Sequence, residues 1–122
     1  MKIKTTELTL TQLDYAVAKV MDVGVNIAPN NTYPNVIRFK NKPENHPSRS
    51  PNYSPTSDWV VGGAVISWGN FEFRKGDGGM YANLPLMPAV FGDDHLEAAM
   101  LAAVIDCFGS EVEIPDELVG VQ

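Results

Sequence analysis

Six prolines (Pro29, Pro34, Pro43, Pro47, Pro51 and Pro55) and seven asparagines (Asn26, Asn30, Asn31, Asn35, Asn41, Asn45 and Asn52) fall between Val25 and Thr56. Each proline removes a backbone donor and each asparagine favours a turn, so little regular structure is expected there. The one exception is Val36-Ile37-Arg38-Phe39, whose alternation predicts a short strand at about 36–40. A Pro/Asn-rich loop at about 41–56 follows, and loops of that length are uncommon unless they carry function. Long helices are therefore confined to the two flanks.

The N-terminal flank predicts a helix at about 9–23. Thr9 is placed to cap it, with Gln12 completing a capping box. Leu10, Leu13, Ala16, Val17, Val20 and Met21 form its apolar stripe and are expected in the core, with Gln12, Asp14, Lys19 and Asp22 mostly off it. Gly24 is the expected C-cap, and Ile3 either starts an edge strand or anchors the terminus. The C-terminal flank predicts a second long helix at about 94–108. Asp94 and Glu97 form its box, and Leu96, Ala99, Met100, Ala103, Val104 and Cys107 its buried stripe. Gly109 ends it, and Val112, Ile114 and Leu118 should tuck the acidic tail against the body.

Between the flanks, Thr56 or Ser57 can cap a shorter helix at about 57–67, with Asp58 in its first turn. Gly62 and Gly63 weaken that helix by roughly 1 kcal/mol each, and a strand from Ala64 to Trp68 competes with it. Phe71–Lys75 alternates, Gly76-Asp77-Gly78-Gly79 turns, and Met80–Leu84 returns, which predicts a hairpin of strands at about 70–75 and 80–84. These elements compose a small layered α+β sandwich, with three helices on one small antiparallel sheet, within a single domain spanning 1–122.

Charge and chemistry restrict function further. The net charge of −6 opposes non-specific binding to nucleic acid and docking on an anionic membrane. One cysteine excludes an intramolecular disulfide and suits a reducing cytoplasm. No membrane span and no secretory leader is expected. His46, His95 and the run Asp93-Asp94-His95 lack metal-ligand spacing, so neither a metal nor another cofactor is expected. No catalytic residue stands out. Cys107 lies on an apolar stripe, and Ser54, Thr56 and Ser57 lack a nucleophile elbow.

The densest cluster of functional groups is YSPTSDWVVGG, Tyr53 to Gly63. Gly62 and Gly63 match no phosphate-loop pattern, although a helix N-terminus can hold an anion. Asp58 opposes a bare anion and suits hydroxyl or amino donors. Tyr53 and Trp59 offer flat faces for a ring, or else seal the helix onto the sheet. The core role fits Trp59 better than the stacking role, while Tyr53, in a polar loop, fits either.

This block, with TTELTLTQLDYAVAKVMDVG before it and LEAAMLAAVIDCFGSEVEIPDEL after it, resembles the NinX-like phage proteins. They are small accessory proteins of tailed phages with a domain of unknown function. Its first half is similar to the broader phage α-β-α sandwich domains, where a tyrosine-serine-threonine-aspartate run opens a helix. Ala64 departs from the family's usual proline, and Val60-Val61 from a smaller, more polar pair. The resemblance implies a phage-encoded protein in the infected bacterial cytoplasm and no known reaction; by analogy, small phage accessory proteins commonly act by binding a host protein or a host defence signal.

The resulting expectation is a non-enzymatic binding protein for a small host-derived ligand, such as a nucleotide-type defence signal. Its site would comprise Tyr53, Ser54, Thr56, Ser57, Asp58, Trp59, Gly62 and Gly63. The alternatives are a module that inhibits a host protein and, ranked last, a small enzyme acting on a nucleotide-like substrate. A homodimer is compatible with each.

Overall fold

The computed structural model describes residues 1–28, 36–48 and 50–119. Pro29, Asn30, Asn31, Pro34 and Asn35 lie outside the described residues. In chain order the elements are β1 (Lys2–Lys4), α1 (Leu10–Val20), β2 (Val25–Ala28), β3 (Val36–Phe39), α2 (Trp59–Gly69), β4 (Glu72–Gly76), β5 (Gly79–Asn83), β6 (Val90–Gly92), α3 (His95–Phe108) and β7 (Glu111–Glu113). Single 3-10 turns occupy Thr5–Glu7 and Asp116–Leu118. The class is α+β. No described helix is long and apolar enough to cross a membrane.

The helix starts follow from local hydrogen bonding. Thr9 and Gln12 form the full reciprocal box at the start of α1. Asp94 accepts from Glu97 N at the start of α3, but the Glu97 side chain accepts from Asp93 N rather than closing on Asp94. At α2 the cap is Asp58 itself, whose carboxylate accepts from Val60 N, rather than Thr56 or Ser57. Those two residues are already committed to a tight turn, in which Ser57 N and Asp58 N both donate to Ser54 O. Gly24 does not cap α1. The chain reverses earlier, through Asp22 in the left-handed region at φ 55°, a conformation that aspartate tolerates better than most residues.

α3 is the central element. It packs on α1, on α2 and on β5 and β6. Alanines make this approach possible: Ala16 of α1 and Ala99 and Ala103 of α3 are fully buried together with Val17, Met100 and Val104. β6 approaches α3 so closely that a Cβ on Gly92 would stand 2.5 Å from Ala98 N, so only glycine fits there. The tail folds back as expected, and Val112, Ile114 and Leu118 are buried. Leu10 and Cys107, expected in the core, are exposed instead. Each stands on an end turn of its helix, beyond the neighbour that covers the middle. Partial desolvation, and then the adjacent Asp106, hold the Cys107 thiol above its ordinary value.

The single sheet expected from the alternating segments is not formed. Among the described residues three small antiparallel sheets replace it: β1 with β7, β2 with β3, and β4-β5-β6. β3 does not join the β4–β5 hairpin. It pairs with β2 in the register Val25↔Phe39 to Ala28↔Val36. Alternation shows that a segment suits a half-buried strand and carries no information on its partner. β2 and β6 were missed, β2 because it abuts the proline segment and β6 because it is only three residues long.

The other edge of β3 receives the long loop. Phe39 N donates to Pro51 O and Tyr53 N donates to Ile37 O, with an isolated bridge between Arg38 and Asn52. Lys42 Nζ closes the loop by donating to Ser48 O (2.8 Å) and Ser50 O (2.9 Å). The loop thus delivers Tyr53 to a defined place between β3, α1 and α2.

Candidate functional site

Tyr53 divides two clefts of nearly equal size. One, of about 220 Å³, is lined by Leu10, Thr11 and Asp14 of α1, Val36 and Ile37 of β3, and Asn52, Tyr53, Ser54, Thr56 and Ser57 of the loop. The other, of about 230 Å³, is apolar apart from His46. Met21, Val23, Phe39, Pro47 and Tyr53 line one side of it, and Val60, Val61, Ala64 and Val65 of α2 the other.

The floor of the polar cleft is Asp14. It is only 7% exposed, and its Oδ1 accepts from Thr56 N at 2.9 Å. Burial pushes the Asp14 carboxyl up to about 7; the Thr56 N–H and hydroxyl offset that only in part. Burial, and then the charge of Asp14, also raise the Tyr53 phenol above its ordinary value. Asp14 therefore changes charge near neutral pH, in a cleft rimmed by four hydroxyl residues (Thr11, Ser54, Thr56 and Ser57) and an amide (Asn52). Carboxylates shifted in this way cluster at functional sites, although burial alone also produces them in structural positions.

Helical spacing held the signal for Asp14. Leu10, Asp14, Val17 and Met21 share one face at steps of four, three and four, which places an acid inside the apolar stripe rather than off it. Gln12 was likewise placed on the polar side but is buried, with its Nε2 donating to Leu118 O at 2.8 Å. Both are polar side chains whose partners lie far away in sequence.

The Tyr53–Gly63 block is split by the fold. Tyr53, Ser54, Thr56 and Ser57 face the polar cleft. Tyr53 is 3% exposed and makes a T-shaped contact with the Phe39 ring at 5.3 Å, so it offers no open face for stacking. Trp59 is the reverse. It is 60% exposed, away from both clefts, with the His95 ring 6.2 Å away. Its expected role as a core seal is overturned, because α2 turns its Val61 and Val65 side inward instead.

Asp58 is occupied by the protein itself. Beyond the Val60 cap, its Oδ2 accepts from Ser48 Oγ at 2.8 Å, which ties the loop to α2. Gly62 serves packing, since a Cβ there would stand 2.4 Å from Pro55 O and 2.6 Å from Leu96 Cδ2. Gly63 faces open space. Asp58, Trp59, Gly62 and Gly63 therefore do not line the cleft that holds the serines and Asp14.

The polar cleft is suited to hydrogen-bond donors. An ionised Asp14 disfavours a phosphate there, and Asp58 takes up the Val60 N–H, one of the free N–H groups at the start of α2. Among the described residues no group of three or more His, Cys, Asp or Glu side chains could hold a metal ion. Comparison of the chain with protein-family models and with curated proteins returned no match.

Proposed function

We propose that the protein is a non-enzymatic binding protein for a small, donor-bearing ligand that enters the cleft over Asp14. The observation that carries this reading is a buried carboxylate, titrating at about 7, at the floor of a hydroxyl-rimmed cleft. At about 220 Å³ the cleft is smaller than the roughly 300–1,000 Å³ of drug-sized sites, so it takes one ring or headgroup. A nucleobase with an exocyclic amine fits this chemistry. The amine donates to Asp14, the serine and threonine hydroxyls meet the ring edge, and sugar and phosphate stay outside. On this reading the ligand is a nucleotide-type signal of the host and the protein acts in counter-defence, a role compatible with the phage origin that its resemblance to the NinX-like proteins implies.

Native mass spectrometry with a panel of linear and cyclic nucleotides tests the reading, followed by titration calorimetry from pH 6 to 8. The expected result is added mass for bases with an exocyclic amine over uracil. Affinity should rise across that pH range as Asp14 ionises, and Asp14→Asn should abolish the rise. No bound nucleotide, or an affinity indifferent to both pH and Asp14→Asn, overturns the proposal.

A further inference from the structure

α2 has the sequence WVVGGAVISWG, without one charged residue. A helix apolar all round is ordinarily buried all round, yet only one side of α2 is covered. Val61, Gly62, Val65 and Gly69 are buried, whereas Trp59, Val60, Ala64, Ser67 and Trp68 are exposed. Both tryptophans of the chain stand on this open side, Trp59 at 60% and Trp68 at 47% exposure.

The arrangement is self-complementary. Trp59 and Trp68 are equidistant in sequence from the Gly63-Ala64 pair. Nine positions make about two and a half turns, so they occupy opposite flanks of the open face with the small residues between them. Two such faces can cross antiparallel at Gly63 and Ala64, where the backbones approach closely. A two-fold axis through that crossing carries the partner's Trp68 to the level of Trp59, on the flank away from Trp59. That flank holds Val60, Val61, Ala64 and Val65, the α2 wall of the apolar cleft of about 230 Å³. In a helix, long side chains lean toward the N-terminus. In the antiparallel arrangement this lean directs the partner's Trp68 along the wall and into the cleft. Knob and hole thus belong to the same face, as an isologous contact requires.

We infer that two copies of the chain associate through the outer faces of α2, crossing at Gly63-Ala64, each seating its Trp68 in the apolar cleft of the other. Charge leaves this route open to a second copy. At −6 per chain, two copies repel wherever acidic residues meet, and α2 brings no charged residue to the crossing. The area fits a weak association. At these exposures the two indoles of one copy show roughly 250 Å², about a third of the roughly 800 Å² per partner of a standard interface. The loop wall at His46 and Pro47 adds to it, which points to a reversible dimer rather than an obligate one.

Sedimentation equilibrium of the full chain across micromolar to millimolar concentration tests the inference. A reversible monomer–dimer equilibrium is expected, weakened tenfold or more by Trp68→Ala. Ala64→Glu, an exposed substitution at the crossing, should abolish it with far-UV circular dichroism unchanged. Trp59→Phe leaves Trp68 as the sole emitter, and its fluorescence should shift to the blue as concentration rises. A wild-type chain that stays monomeric throughout overturns the inference. So does a dimer that survives both Trp68→Ala and Ala64→Glu, or one in which the Trp68 emission does not move. The polar cleft over Asp14 plays no part in these readouts.

Discussion

The two clefts beside Tyr53 differ by only about 10 Å³ in volume, yet their chemistries are opposite. Both use the loop and β3. What separates them is the helix behind each. α1 supplies Asp14 to one, whereas α2 supplies Val60, Val61, Ala64 and Val65 to the other, so one cleft titrates near neutrality and the other is an apolar socket. A shared wall does not dictate the use of a cleft. The helix behind it does, and here Asp14 and the α2 residues stand 46 to 51 positions apart.

The sharpest test of the contrast is Asp14→Asn. The folded carboxyl, at about 7, lies above its value of 3.8 in an ordinary setting, so between those values the folded state binds more protons than the unfolded one. The stability this supplies is full below pH 4 and is lost as pH rises through 7. The span is about 4 kcal/mol for a shift of roughly three units. Denaturant melts of the wild type should therefore weaken from pH 4 to 7.5. Those of Asp14→Asn, which keeps an acceptor for Thr56 N, should stay nearly level and exceed wild type at pH 8. Equal slopes for the two proteins would remove the distinction between the clefts.

Gly62→Ala attacks the joint that both clefts share. The added methyl meets Pro55 O at 2.4 Å, a backbone atom that cannot swing aside. A loss of about 2–3 kcal/mol is expected from overpacking, read as a lower denaturation midpoint. Gly63→Ala, where nothing stands within 4 Å, serves as the control and should be neutral or slightly stabilising.

Asp58→Ala is expected to cost about 1–2 kcal/mol, because it removes a helix cap and the Ser48 tether together. Ser48→Ala removes only the tether and should cost less, about 0.5–1 kcal/mol. If both variants cost the same, the cap contributes nothing and α2 is held by packing alone. Neither change touches Asp14, so the pH slope of stability should persist in both.

Much of this architecture was legible in advance. The start of α1, both ends of α3, the Thr9–Gln12 box, the Gly109 stop and the β4–β5 hairpin all depend on residues within a few positions of one another. The site was half legible. The density of polar groups from Tyr53 to Ser57 identified the correct turn, and four of its residues do line a cleft. Asp14 was hidden in an apolar stripe because its partner, Thr56, is forty-two positions away. The aromatics were settled by contacts of the same distant kind. The polar loop around Tyr53 left both roles open, and its backbone bond to Ile37 draws it inside. The apolar helix around Trp59 suggested burial, but its one covered side faces the other way.

The amino-acid sequence alone determined where α1 and α3 begin, where α3 ends, and that the segments of β3, β4 and β5 suit strands, with a turn between the last two. These depend on hydrogen bonds and steric limits that act over a few residues. Only the tertiary structure decided that β3 pairs with β2, that Asp14 is buried, and that α2 leaves an apolar face open to solvent. Burial and strand pairing are properties of two surfaces brought together, and each of those surfaces carries only half of the information in its own residues.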